Sequence, residues 1–241
     1  MVAALVLLLV LSTNASAMLV ARDLDGDQFT AEAWYDTALN ITWLADANLA
    51  STQDFGIGGV QSGGTMTWST AQLWVAAANA NSLFSLSNWR LPSVIDFGND
   101  GCNFGFSSSD CGHNVDPTSG EYAALFFDTL GNTSILDDSG VLDPSGGLAS
   151  NGPFINFGPF DFVPDGAYWT QTLDAADPDN TWFFNFDIGV QNVLATGNPL
   201  TEFALKTWLV HDGDVGAVVI PIPAAGWLLL ACLPFLRARR F

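Results

Sequence analysis

Positive charge is nearly absent from this chain. Its 241 residues hold six Lys and Arg against 25 Asp and Glu, a formal net charge of -19, and three of the six bases (Arg237, Arg239, Arg240) stand in the last five residues. Between Arg22 and Lys206 the one base is Arg90. A surface of this sign repels phosphate backbones, which excludes nucleic acid and leaves cations and neutral sugars as compatible ligands. Histidine is almost as scarce, with only His113 and His211, and no Ser-His-Asp or paired-carboxylate arrangement stands out. The sequence therefore nominates no catalytic residue, no metal site and no cofactor. Charged residues of either sign make up only 13%, while 49% hydrophobic and 12% aromatic content suffices for a core and excludes disorder as the main state. Much of the polar remainder is Ser, Thr, Asn and Gly, a balance typical of exported surface proteins.

Both ends carry an address. Val2 to Leu11 is an apolar run, followed by Ala15-Ser16-Ala17, the small-x-small pattern that signal peptidase cuts after. A signal peptide over 1–17 and a mature start near Met18 are expected; no base precedes the run, which fits a start codon further upstream. At the other end, Ala217 to Leu236 has no charge for twenty residues, long enough to cross a bilayer, and Arg237-Ala238-Arg239-Arg240 comes directly after it. The positive-inside rule then puts the tail in the cytoplasm and the body outside. The order Val219-Ile220-Pro221-Ile222-Pro223-Ala224, apolar helix, Arg cluster resembles the PEP-CTERM sorting tail, in particular its Val-Pro-x-Pro-Ala subtype, with Ile222 where the family's namesake Glu stands. The resemblance implies a Gram-negative bacterium and cleavage near Pro221, Pro223 and Ala224 by an exosortase, an enzyme linked to exopolysaccharide production, with Arg237, Arg239 and Arg240 as the membrane stop.

Within the body, Asp23-Leu24-Asp25-Gly26-Asp27 suggests a calcium loop. The EF-hand pattern fails, however, at its sixth and twelfth positions, where Gln28 and Trp34 stand. A tight Asp-Gly turn leading into a strand over Phe29 to Tyr35 accounts for the same residues. Thr67 or Ser69 can cap a helix with apolar residues at three- and four-residue spacing from Trp68 to about Ser82. Asn88-Trp89-Arg90-Leu91-Pro92 reads as a buried strand end closing into a turn, with Arg90 paired to a carboxylate such as Glu121, Asp36 or Asp187, a ligand-contacting arginine being the alternative. Asp96 to Asp116 is a polar excursion whose Cys102 and Cys111 would pair as a disulfide in an exported protein, metal binding beside His113 being the alternative. Ser119 is expected to cap a second helix over Gly120 to Leu130 that ends at Gly131. A loop with aromatic punctuation runs from Asn132 to Asp165. Strands are then expected over Ala167 to Leu173, Thr181 to Ile188 and Phe203 to His211, the first two as a hairpin.

Trp89-Arg90-Leu91-Pro92, Tyr168-Trp169-Thr170-Gln171-Thr172 and Trp208-Leu209-Val210-His211-Asp212-Gly213-Asp214 occur in this order with Asp36 to Trp43, Trp68-Ser69-Thr70-Ala71, the Glu121 helix and Trp182 to Gly189. Together they resemble the DUF1566 module, also called the Lcl C-terminal domain, over roughly residues 20 to 214. The resemblance implies an α+β, C-type-lectin-like domain over 18–214 with two helices packed on antiparallel sheets and a long loop region, ahead of a sorting tail with a transmembrane helix over 215–241. The chain departs from the pattern at His211, where many members have Arg, and lacks the Glu-Pro-Asn and Trp-Asn-Asp calcium motifs of sugar-binding lectins. The expected function is non-enzymatic binding or adhesion at the cell surface or in the matrix, to extracellular polysaccharide or a surface glycan. The alternatives are an acidic structural matrix protein that binds divalent cations weakly and, last, an enzyme like the formylglycine-generating oxygenases. Mass spectrometry of the mature protein should find an N-terminus near Met18 and a C-terminus near Pro221 to Ala224; a C-terminal peptide retaining Arg240 would show a plain membrane anchor instead.

Overall fold

The computed structural model describes residues 18–146, 156–161, 166–196 and 203–218. The predicted signal peptide, the sorting residues Pro221, Pro223 and Ala224, the bases Arg237, Arg239 and Arg240, and all but the first residues of the predicted membrane segment lie outside them. Among the described residues no helix is long and apolar enough to cross a membrane. In chain order the elements are β1 (Leu19–Asp23), β2 (Ala33–Asp36), β3 (Ile41–Leu44), α1 (Trp68–Ala80), β4 (Phe104–Gly105), β5 (Cys111–His113), α2 (Glu121–Ala123, continued by a π-helical stretch Ala124–Thr129), β6 (Ala167–Leu173), β7 (Asn180–Asn185), β8 (Val190–Ala195), β9 (Val210–Asp212) and β10 (Ala217–Val218). The class is α+β, dominated by two five-stranded sheets ordered β10-β1-β2-β3-β9 and β4-β5-β8-β7-β6. Every pairing within them is antiparallel except β4 with β5.

Local chemistry explains most element ends. Asp36 is fully buried, and its Oδ1 accepts from the backbone N–H groups of Ala38 and Leu39 at 2.9 and 3.2 Å, closing the β2–β3 turn. Its Oδ2 accepts from Thr129 Oγ1 at 2.9 Å, tying that turn to α2. Thr67 caps α1, its hydroxyl accepting from Thr70 N–H, and the helix buries Ala71, Trp74, Val75 and Ala78. The expected Ser119 cap is replaced. Ser119 is buried at the end of a 3-10 turn (Pro117–Ser119), where its Oγ accepts from Gln191 Nε2 at 3.0 Å, and Gly120 takes the cap position instead. A Cβ at Gly120 would lie 2.5 Å from Gln191 Oε1, so a larger residue there would have to displace the Gln191 side chain.

Several strand expectations are corrected. The strand expected over Thr181 to Ile188 stops at Asn185, whose carbonyl accepts from Gly189 N–H at 2.9 Å, and the chain returns as β8. The strand expected over Phe203 to His211 shortens to β9, preceded by single bridges from Leu205 to Met66 and from Lys206 to Tyr168. Ala217 and Val218, expected to open the membrane segment, pair with Asp23 and Arg22 as β10, so the sheet extends past 214. The strand expected over Phe29 to Tyr35 begins only at Ala33 because Asp27 holds Phe29 and Thr30 in a turn.

The sheets and helices meet on aromatic side chains. Tyr122 on α2 lies 5.6 Å from Trp43, 5.4 Å from Phe186 and 6.2 Å from Trp208, and Trp208 in turn lies 5.0 Å from Trp43 and 4.7 Å from Phe160. Trp43, Trp74, Trp169, Trp182 and Trp208 are wholly buried and Trp89 nearly so. Several indoles donate to backbone carbonyls: Trp208 to Leu44 at 2.7 Å, Trp169 to Met66 at 2.8 Å and Trp74 to Gln53 at 2.8 Å. Cys102 and Cys111 are joined by a disulfide that fixes β4 beside β5. Replacing both cysteines by Ser should lower unfolding free energy by about 3 kcal/mol, read from denaturant midpoints at unchanged slope; an unchanged midpoint would contradict a stapled loop.

Candidate functional site

The signature segment Trp89-Arg90-Leu91-Pro92 sits where four elements converge. Arg90 N–H donates to Val210 C=O and Val210 N–H to Arg90 C=O, both at 2.9 Å, which attaches the segment to β9. Trp89 exchanges two hydrogen bonds of 2.8 Å with the Asn79 side chain of α1, and Pro92 C=O accepts from Gln171 N–H of β6 at 2.9 Å. The Arg90 guanidinium forks onto Glu121, at 2.8 Å from Nη1 to Oε2 and 2.7 Å from Nη2 to Oε1, and its Nη2 also reaches Asp212 Oδ1 at 2.6 Å. Glu121 Oε2 accepts Ser93 N–H as well, at 2.7 Å. Burial works against the Arg90 charge, but the Glu121 and then the Asp212 carboxylates outweigh it and hold the group firmly protonated. The partner is thus Glu121; Asp36 closes the β2–β3 turn and Asp187 Oδ1 accepts from Gly166 N–H, both elsewhere. Every donor of this arginine is directed at its own fold, so it is not placed to receive a ligand.

Tyr168 and Trp169, the second signature, are core residues of β6. Both are fully buried, and Lys206 Nζ lies 5.9 Å from the Tyr168 ring centre.

Three other places bring acidic or aromatic groups together at the surface. The first is the turn after β1. Asp23, Asp25 and Asp27 bring one carboxylate oxygen each within 4.8 Å of one another. Asp23 Oδ1 accepts Gly26 N–H at 2.6 Å, and the N–H groups of Phe29 and Thr30 hold the Asp27 carboxyl below its ordinary range.

The second is an aromatic platform on the stapled loop. Phe104 and Phe106 are both exposed and meet edge to face at 5.6 Å, and the His113 ring stacks on Phe106 at 6.1 Å. Ser134 Oγ donates to Ile188 C=O at 2.9 Å and lies 2.6 Å from His113 Nδ1, so His113 carries its proton on Nδ1. Burial pushes the His113 pKa down, keeping the ring neutral. The Asn103 and Asn114 amides brace the loop, Asn103 Nδ2 donating to Asp100 Oδ1 at 2.8 Å and Asn114 Nδ2 to Leu136 C=O at 2.7 Å. A Cβ at Gly112 would lie 2.0 Å from Gly105 C=O, so glycine alone lets β4 approach closely enough to present Phe104.

The third is a cleft of about 230 Å³ between the β1–β2 connection and the segment after β3, with Phe84 on its wall and Glu32, Asp46 and Asp161 around it. None of these three sites falls on the signature residues; the chain's aromatic content and Asp-Gly-Asp turn were the signals available for the first two, while the cleft joins Asp46 to the distant Asp161 and had none.

No protein-family model, curated protein or solved structure matches the chain. Arg90→Lys should lower stability by about 2 kcal/mol, because an ammonium cannot fork onto Glu121, and Arg90→Leu by about 3 kcal/mol or more, because it strands that carboxylate. Full stability of Arg90→Lys in thermal and denaturant unfolding would contradict the forked pair.

Proposed function

We propose that this chain is a non-enzymatic binding module of the DUF1566 type, with a C-type-lectin-like arrangement, exported by a Gram-negative bacterium. Signal peptidase trims its leader, an exosortase processes its tail, and the body then holds extracellular polysaccharide or a surface glycan at the cell surface or in the matrix. The observation that carries this reading is the exposed Phe104–Phe106 pair. Two exposed phenyl rings on a disulfide-bonded loop suit stacking on the C–H faces of sugar rings. Two antiparallel-dominated sheets bridged by two helices, with the first described strand paired to the last, agree with the lectin-like arrangement.

A second reading, an acidic matrix protein that binds divalent cations weakly, is favoured by the convergence of Asp23, Asp25 and Asp27. The purified full-length chain should bind polysaccharide from its host in a sedimentation assay and on a glycan array. Phe104→Ala with Phe106→Ala should weaken that binding about tenfold or more while leaving the melting temperature unchanged. Absence of glycan binding with and without calcium, alongside a saturable calorimetric calcium signal lost in Asp25→Asn, would favour the second reading.

A further inference from the structure

The cleft beside the β1–β2 connection is built unlike the aromatic platform. Leu44, Leu49 and Phe84 line the cleft together with Glu32, Asp46 and Asp161. The carboxylates come from three separate parts of the chain that the backbone locks together. Ala45 N–H donates to Glu32 C=O at 2.8 Å, Asp161 N–H to Ala45 C=O at 2.9 Å and Ala47 N–H to Asp161 C=O at 3.2 Å. Glu32 is held further by Leu24 N–H at 2.9 Å and Thr30 Oγ1 at 2.6 Å, and Asp46 Oδ1 by Asn48 N–H at 2.8 Å.

Among the described residues these acids have no cation. The ion pairs there join Arg22 to Asp214 and Arg90 to Glu121 and Asp212; none reaches Glu32, Asp46 or Asp161. Asp46 shows the consequence. Burial, and to a smaller degree the Asp161 charge, raise its pKa against the opposing Asn48 hydrogen bond. An apolar pocket with an aromatic side chain in its lining, and with Glu32 and Asp46 held by hydrogen bonds beside the exposed Asp161, none of the three paired to a cation, complements a ligand that has both a ring face and a positive charge.

We propose that this cleft takes the ammonium-bearing ring of a 2-amino sugar, so that the polymer held by the module carries free amines. The inference rests on the polysaccharide reading above and narrows it: the exposed phenyls supply stacking common to most sugars, and the cleft supplies selection for de-N-acylated units. A chain of net charge -19 also attracts a polycationic polymer over long range at low salt.

Calorimetric titration of the full-length chain at low salt tests it with three probes: a β-linked glucosamine hexamer, the same hexamer fully N-acetylated, and hexalysine. The free-amine hexamer should bind about tenfold or more tightly than either of the others, and Asp46→Asn and Asp161→Asn should each remove that preference. Asp46→Asn keeps the Asn48 hydrogen bond and removes an uncompensated charge, so it should be at least as stable as the parent at neutral pH. Asp138→Asn, which removes an exposed carboxylate outside the cleft, should leave the preference intact; an equal loss there would reduce the effect to net charge and overturn the proposal. Equal affinity for the two sugar hexamers, with both weakened by Phe104→Ala, would overturn the cleft assignment while leaving polysaccharide binding in place. Hexalysine binding as tightly as the amino sugar through Asp46 would overturn the sugar and point to a basic peptide.

Discussion

The forked contact between Arg90 and Glu121 is the constraint on which the rest of the molecule hangs. Through its main chain the Arg90 segment belongs to β9 of one sheet, and through Pro92 it touches β6 of the other. Through Trp89 it is bonded to α1, and through the guanidinium it holds the first residue of α2. A two-sheet domain needs something to set the distance and angle between its layers. Here the Arg90 segment links them, its main chain on β9 and the Pro92 carbonyl on β6, while the planar guanidinium fixes the segment to α2 and β9 through Glu121 and Asp212. The arrangement also explains why Glu121 opens its helix: a carboxylate at an N-terminus accepts the positive end of the helix dipole while it binds the arginine.

Cations are scarce enough that their placement shapes the surface. Arg22 is bound by Asp214 and lies over Tyr35, Arg90 is bound by Glu121 and Asp212, and Lys206 lies near Tyr168. All three bases of the described body are thus engaged by folded groups, and most of the acids there have no cation beside them. The acidic exterior arises from where the few positive charges were placed as much as from the number of acids.

Much of the framework was legible because it depends on local chemistry. Thr67 before an apolar period of 3.6, Gly131 after one, and two cysteines flanking a short polar loop each act within a few residues. So did the isolation of Arg90, which pointed to a buried partner even though the partner lies 31 positions away. What sequence reading missed depends on contacts between distant elements. Ser119 has the chemistry of a cap, yet Gln191, 72 positions on, takes its hydroxyl. The strand Val190–Ala195 carries Gln and Asn among its apolar residues, and only its place between β5 and β7 makes it a central strand. The cleft was illegible for the same reason: Asp46 and Asp161 become neighbours through a backbone bridge with no side-chain pattern to announce it.

The pairing of β10 with β1 has a mechanical side. Only Ala217 and Val218 form that strand, against Asp23 and Arg22, and it lies at the outer edge of its sheet. Tension applied to the chain beyond residue 218 and resisted by the body would load this two-residue ladder first. The edge strand would then lengthen the tether under tension while the Arg90 junction, deeper in the chain's connectivity, kept both sheets and the bound ligand together.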